Sequence, residues 1–164
     1  MRLFTPIAAL LSLGLTSGAL VSTAPVTQAP PTCDTPQYRQ FDFWVGDWTV
    51  TSGGQPAGTN HITLEEAGCL VHEHWTGARG GTGQSFNFFD RTDSLWHQVW
   101  VSSSGTVLFL SGKYSDGRLE YAAQGQRLTF FHNADGTVRQ LWQSSADGQQ
   151  WKTVFDGLYV KRAP

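Results

Sequence analysis

The sequence predicts an all-β protein, an up-and-down antiparallel barrel of about ten strands built from residues 41–164. Three observations lead there. Glycine-rich and Asp-Gly turns recur at hairpin spacing from Trp44 onward, and the runs between them are rich in Val, Ile, Phe, Trp, Tyr and Thr. No proline occurs between Pro56 and Pro164, which suits an unbroken hydrogen-bonded ladder. No segment keeps a helical period, apart from a short turn at FDFWVG. A meander this long must close or leave edges exposed, and closure removes the edges. A β-sandwich would need a long Greek-key crossover, and none is visible.

Residues 1–24 read as a secretory signal peptide: an early Arg2, an apolar run from Ile7 to Leu15, then small residues. The run is too short to span a bilayer, which takes ~20 apolar residues. Cleavage is expected after Ala19 or Ala24, with Pro25 disfavouring the second. Residues 25–40 are rich in Pro and Thr and read as a spacer. No lipoprotein signal precedes either cysteine, so the expected product is exported to the periplasm or the extracellular space without a lipid anchor. There an even pair of cysteines, Cys33 and Cys69, is expected to form a disulfide tying the opening segment to the third strand.

The turns SGGQPAG, EAG, ARGGTG, DRTDS, SSSG, SDG, QGQ, NADG and SADGQQ separate strands expected at 47–52, 58–65, 69–77, 84–90, 94–101, 106–113, 118–123, 126–132, 136–144 and 151–161. Net charge is -2 with no basic cluster, which argues against nucleic acid and against anionic membranes. No other apolar run approaches membrane length, so no stable insertion is expected, and nothing points to a particular oligomeric state. Charged residues make up 15% of the chain, while Trp (7) and Phe (10) are plentiful. Globular domains average about 25% charged, so this chain has material both for a core and for a lined cavity.

The strand alternation suggests where a site would lie. Three strands repeat a polar residue followed two positions on by Trp: Glu73 and Trp75, Gln98 and Trp100, Gln140 and Trp142. A fourth places Ser85, Asn87 and Phe89 on one face. Residues i and i+2 share a strand face, so each set points one way. If that way is inward, these residues line an amphipathic pocket for a small apolar or amphipathic molecule. If it is outward, the Trp residues only pack. Parity alone does not choose between the faces.

Other chemistry is thin. His72 and His74 share a face but need a third ligand, such as His97 or His132, to hold a metal. If Glu73 and Trp75 face inward, both His side chains face out, and no metal site is expected. The loop GARGGTG lacks the Lys-Ser/Thr and the following helix of a phosphate loop; Arg79 within it reads as an exposed loop residue. No nucleophile motif occurs. The one candidate acid/base is Glu73, whose alternative is a structural carboxylate paired with Arg139. Arg139 has the opposite parity to Gln140, so pocket and pair compete. With neither a nucleophile nor a full metal set, a binding protein is favoured over an enzyme, with a packed envelope module as a third reading; no cofactor is implied.

The string FDFWVGDW, residues 41–48, contains Gly46-Asp47-Trp48, a G-x-W at the start of the first strand. It resembles the opening of lipocalins and their calycin relatives, where the Trp plugs one end of the barrel. The longer pattern resembles an exported bacterial family of unknown function opening with FDFW-x-G-x-W. Its further motifs match Gly68-Cys69 with Glu73 and Trp75, then Ser85, Asn87, Phe89 and Asp90. They continue at Trp96, Gln98, Trp100 and Val101, then Arg139, Gln140 and Trp142, and close at Phe155, Asp156, Gly157 and Tyr159. The resemblance runs from about Cys33 to the chain end and implies a lipocalin-like barrel and export, with no activity attached. It also suggests that Lys161 or Arg162 lies against the Trp48 ring. Nitrobindin-type haem proteins are similar ten-stranded barrels, but they depend on a late haem-ligating His. Here no His follows His132, which argues against haem.

Overall fold

A computed structural model describes residues 32–163. Those residues form a closed antiparallel barrel of ten strands in simple up-and-down order: β1 (Gly46–Ser52), β2 (Gln55–Glu65), β3 (Leu70–Gly77), β4 (Thr82–Asp90), β5 (Leu95–Ser102), β6 (Val107–Ser115), β7 (Arg118–Ala123), β8 (Gln126–His132), β9 (Val138–Ser144) and β10 (Lys152–Lys161). Each strand pairs with its neighbour in sequence, and β1 pairs with β10 to close the ring, Val50 opposite Tyr159. All ten expected strands are present, with ends displaced by a few residues at most. The expected leader, residues 1–24, lies outside the described residues. Among the described residues no helix is long and apolar enough to cross a membrane.

The alternation resolves into an inner and an outer face. Trp48 and Val50 of β1, Val71 and Glu73 of β3, Ser85 and Asn87 of β4, Trp96 and Gln98 of β5, and Leu128 and Phe130 of β8 are all buried. The outer residues between them are polar or exposed. The polar-x-Trp sets therefore look into the barrel.

One end of the barrel is filled by the chain that leads into it. A single 3-10 turn, Asp42–Trp44, drops Phe41 and Trp44 into the opening. Both are fully buried, stacked at 4.8 Å, and packed on Phe130 and Trp96. Burying an aromatic ring of this size stabilises by ~1.5–3 kcal/mol. The G-x-W follows directly. Gly46 has φ +137°, a conformation a side chain rarely adopts, and Lys161 Cε lies 3.4 Å from where a Cβ would sit. Trp48 then turns inward, donates its indole N–H to the Trp44 carbonyl at 2.8 Å, and is covered by Lys161, whose Nζ lies 5.3 Å from the ring centroid. Lys161, rather than Arg162, makes this contact.

The described part of the 25–40 stretch, residues 32–40, is a run of turns laid on this end. Tyr38 is buried edge-on against Phe89 at 5.4 Å, and Gln40 Oε1 accepts the Trp96 indole N–H at 3.0 Å. A disulfide joins Cys33 to Cys69, just before β3, and fastens the segment to the barrel wall.

Candidate binding pocket

Away from the cap the interior is not filled. A cavity of about 230 Å³ lies within the barrel. Trp75, Trp100, Trp142 and Phe155 stand around it, with Leu108, Leu110, Leu128 and Val154 between them. Its polar residues are Glu73, Gln98, Gln140 and Tyr159. A cavity of roughly 150 Å³ holds a benzene-sized molecule, so this one has room for a one- or two-ring compound.

Glycines opposite the rings explain why large side chains leave a hole. A Cβ on Gly83 would come 2.2 Å from the Trp100 ring. On Gly58 it would meet Trp75 at 2.7 Å, and on Gly157 it would meet Phe155 at 2.4 Å. Each of these three rings therefore lies along a glycine on the barrel wall. The Trp142 ring is held instead by its indole N–H, donated to Gln126 Oε1 at 2.5 Å.

A hydrogen-bonded network lies beside the cavity and leads to one carboxyl group. The Gln98 amide and the Tyr121 hydroxyl donate to Asn87 Oδ1, at 2.9 and 3.2 Å. Asn87 Nδ2 donates to Ser85 Oγ at 2.8 Å, and the Ser85 hydroxyl donates to Glu73 Oε2 at 2.6 Å. On the other side Asn60 Nδ2 donates to Glu73 Oε1 at 2.7 Å. Burial pushes the Glu73 carboxyl up to about 7, opposed by the hydrogen bonds from Ser85 and Asn60 and by the charge of His72. Burial, and then the Glu73 charge, hold the Tyr121 and Tyr159 phenols far above their ordinary range. Tyr159 in turn donates to Gln140 Oε1.

Of the nine residues singled out by parity, Glu73, Trp75, Gln98, Trp100, Gln140 and Trp142 line the cavity, whereas Phe89 packs against Tyr38 and Trp96 instead. Ser85 and Asn87 are fully buried behind it and reach it through Glu73 and Gln98. Parity missed Asn60, Tyr121, Phe155, Tyr159 and the leucines. The F-D-G-x-Y closing motif does carry a signal, since Phe155 and Tyr159 stand four apart and share a strand face.

The alternative partner for Glu73 is ruled out. Arg139 lies on the outer face, as its parity requires, and clasps Asp156 with two bonds of 2.7 Å. His72 and His74 also face outward, with rings 4.0 Å apart. The group nearest to completing a metal set is neither His97 nor His132 but Glu65, whose Oε1 lies 3.2 Å from His72 Nδ1. His97 is held by Asp93, and His132 stacks on Phe43. Arg79 is exposed on its loop.

Set against known proteins, the chain matches no family model and no curated sequence.

Proposed function

We propose that this protein is an exported carrier or scavenger that holds a small apolar or amphipathic molecule inside the barrel. The observation that carries the reading is a cavity with aromatic walls and a few convergent polar groups, the usual make-up of a small-molecule site. The disulfide favours an oxidising compartment. The FDFW-x-G-x-W opening and its downstream motifs support membership in the exported family they resemble.

A two-ring neutral probe such as 2-naphthalenemethanol, titrated by calorimetry, tests the binding reading. Saturable one-to-one binding is expected, and Leu128→Phe, which adds volume at the cavity wall, should weaken it at least tenfold. No saturable binding by the wild type, or equal binding by a folded Leu128→Phe variant, would count against it.

One observation favours a second reading, an enzyme using the same pocket. A carboxyl group balanced near neutrality is suited to acid/base work. Turnover of a bound compound, abolished in Glu73→Gln with binding kept, would select it.

A further inference from the structure

Resting on the binding reading above, we propose that the pocket is specific for organic ammonium ions, with the Glu73 carboxylate as the anionic contact and the Trp rings as a cage. The network beside the cavity has a direction. Ser85 Oγ already accepts from Asn87, so its single hydrogen goes to Glu73. Asn60 supplies a second hydrogen to the other carboxyl oxygen. The whole chain of donors thus ends on Glu73 as its final acceptor, the arrangement that suits an ionised carboxylate.

Among the described residues no cation stands beside that charge on the cavity wall; His72 acts on it only from the outer face of its own strand. The cavity lining contains no Lys, Arg or His. Arg139 is turned outward to Asp156, while Arg127 and Lys161 lie over Trp151 and Trp48. A buried charge without a partner is costly, and a ligand that carries a positive charge offsets that cost. An ammonium group brings N–H donors to a carboxylate on the cavity wall.

The walls suit the same ion. Trp faces attract cations through the ring quadrupole, more strongly when water is excluded. Trp75, Trp100 and Trp142 all bound one cavity with Phe155. Anionic amphiphiles are disfavoured by the same features, since a carboxylate ligand would meet Glu73 with no cation to hold it.

Three isosteric probes separate the possibilities: 2-naphthylmethylammonium, 2-naphthalenemethanol and 2-naphthoate. The wild type should bind the ammonium at least tenfold more tightly than the alcohol and should not bind the carboxylate, a ratio in keeping with a charge-assisted contact. Glu73→Gln should keep the alcohol and lose the ammonium preference. The titratable groups facing Glu73 are Tyr121 and Tyr159, which stay neutral, with His72 on the outer face of its own strand. In the wild type the ammonium preference should therefore grow between about pH 5.5 and pH 8 as Glu73 ionises, while an alkylammonium stays protonated. If alcohol and ammonium bind alike, the ammonium proposal falls and the binding reading stands. If no probe binds, both fall. If Glu73→Gln binds neither probe, the wild-type pH series decides, and a preference that does not change with pH overturns the proposal.

Discussion

Replacing Glu73 with Gln removes a titration while keeping the shape of the side chain, and the consequence for stability can be worked out in sign and size. Burial raises the Glu73 carboxyl from 4.5 to about 7. A carboxyl raised in the folded state contributes its full stability below the unfolded value and loses it as pH rises through the folded value. The loss therefore falls between about pH 4.5 and pH 7. At about 1.4 kcal/mol per pH unit it amounts to roughly 3 kcal/mol. The carboxyls of Asp156, Asp135 and Asp147 are lowered by hydrogen bonds, from Arg139, Thr137 and the Gln150 backbone respectively, so their contributions run the opposite way. They are common to both proteins and cancel in the difference. Urea unfolding of wild type and Glu73→Gln across this range is the assay. The variant should gain roughly 3 kcal/mol on the wild type between about pH 4.5 and pH 8, which for a domain of this size is roughly 10 °C in Tm. Stability curves that stay parallel within about 0.5 kcal/mol would mean that the buried carboxyl does not titrate as its surroundings require.

Two further outcomes follow from the capped end. Trp48→Ala empties a fully buried ring position and removes the indole bond to the Trp44 carbonyl, so a loss of ~3–5 kcal/mol is expected; an unchanged melting temperature would refute the placement. The Cys33–Cys69 bond spans 36 residues of sequence, so its reduction should cost ~3–4 kcal/mol in the chain-entropy picture. The intact mass of unreduced protein should be two hydrogens below that of the dithiol, and thiol alkylation without reduction would contradict the bond.

Local signals were enough for the strands. Asp-Gly and glycine-rich turns mark hairpins, and proline is absent where the ladder must be continuous, so strand ends came out nearly in place. Same-face sets were also legible, because i and i+2 spacing needs no tertiary information. What parity lacks is the choice of face, and that choice depends on barrel closure. It also lacks cross-strand neighbours. Asn60 reaches Glu73 from β2, and Tyr121 reaches Asn87 from β7, strands without a polar-x-Trp phrase. Glu65 meets His72 only because β2 and β3 pair in one particular register. The 25–40 stretch shows the opposite difficulty. Its average composition is that of a spacer, yet two residues within it, Cys33 and Tyr38, hold residues 32–40 on the barrel end.

The difference between the two ends of the barrel is what leaves a site. Around eight strands the interior is just wide enough for side chains to fill, and diameter grows with strand number. Ten strands therefore enclose more space than inward side chains alone occupy. At one end the surplus is taken up by Phe41 and Trp44, inserted from outside the strand pattern. Around the cavity, three rings large enough to fill it lie instead along Gly58, Gly83 and Gly157, positions where even a methyl group would collide with them. Close packing is the default for protein interiors. Here the wide barrel is plugged once, and glycine takes the place of bulk opposite the aromatic rings. The buried carboxyl lies where these two arrangements meet, close enough to the packed end to be desolvated and still on the cavity wall. That position raises the Glu73 carboxyl and also places it within reach of a ligand.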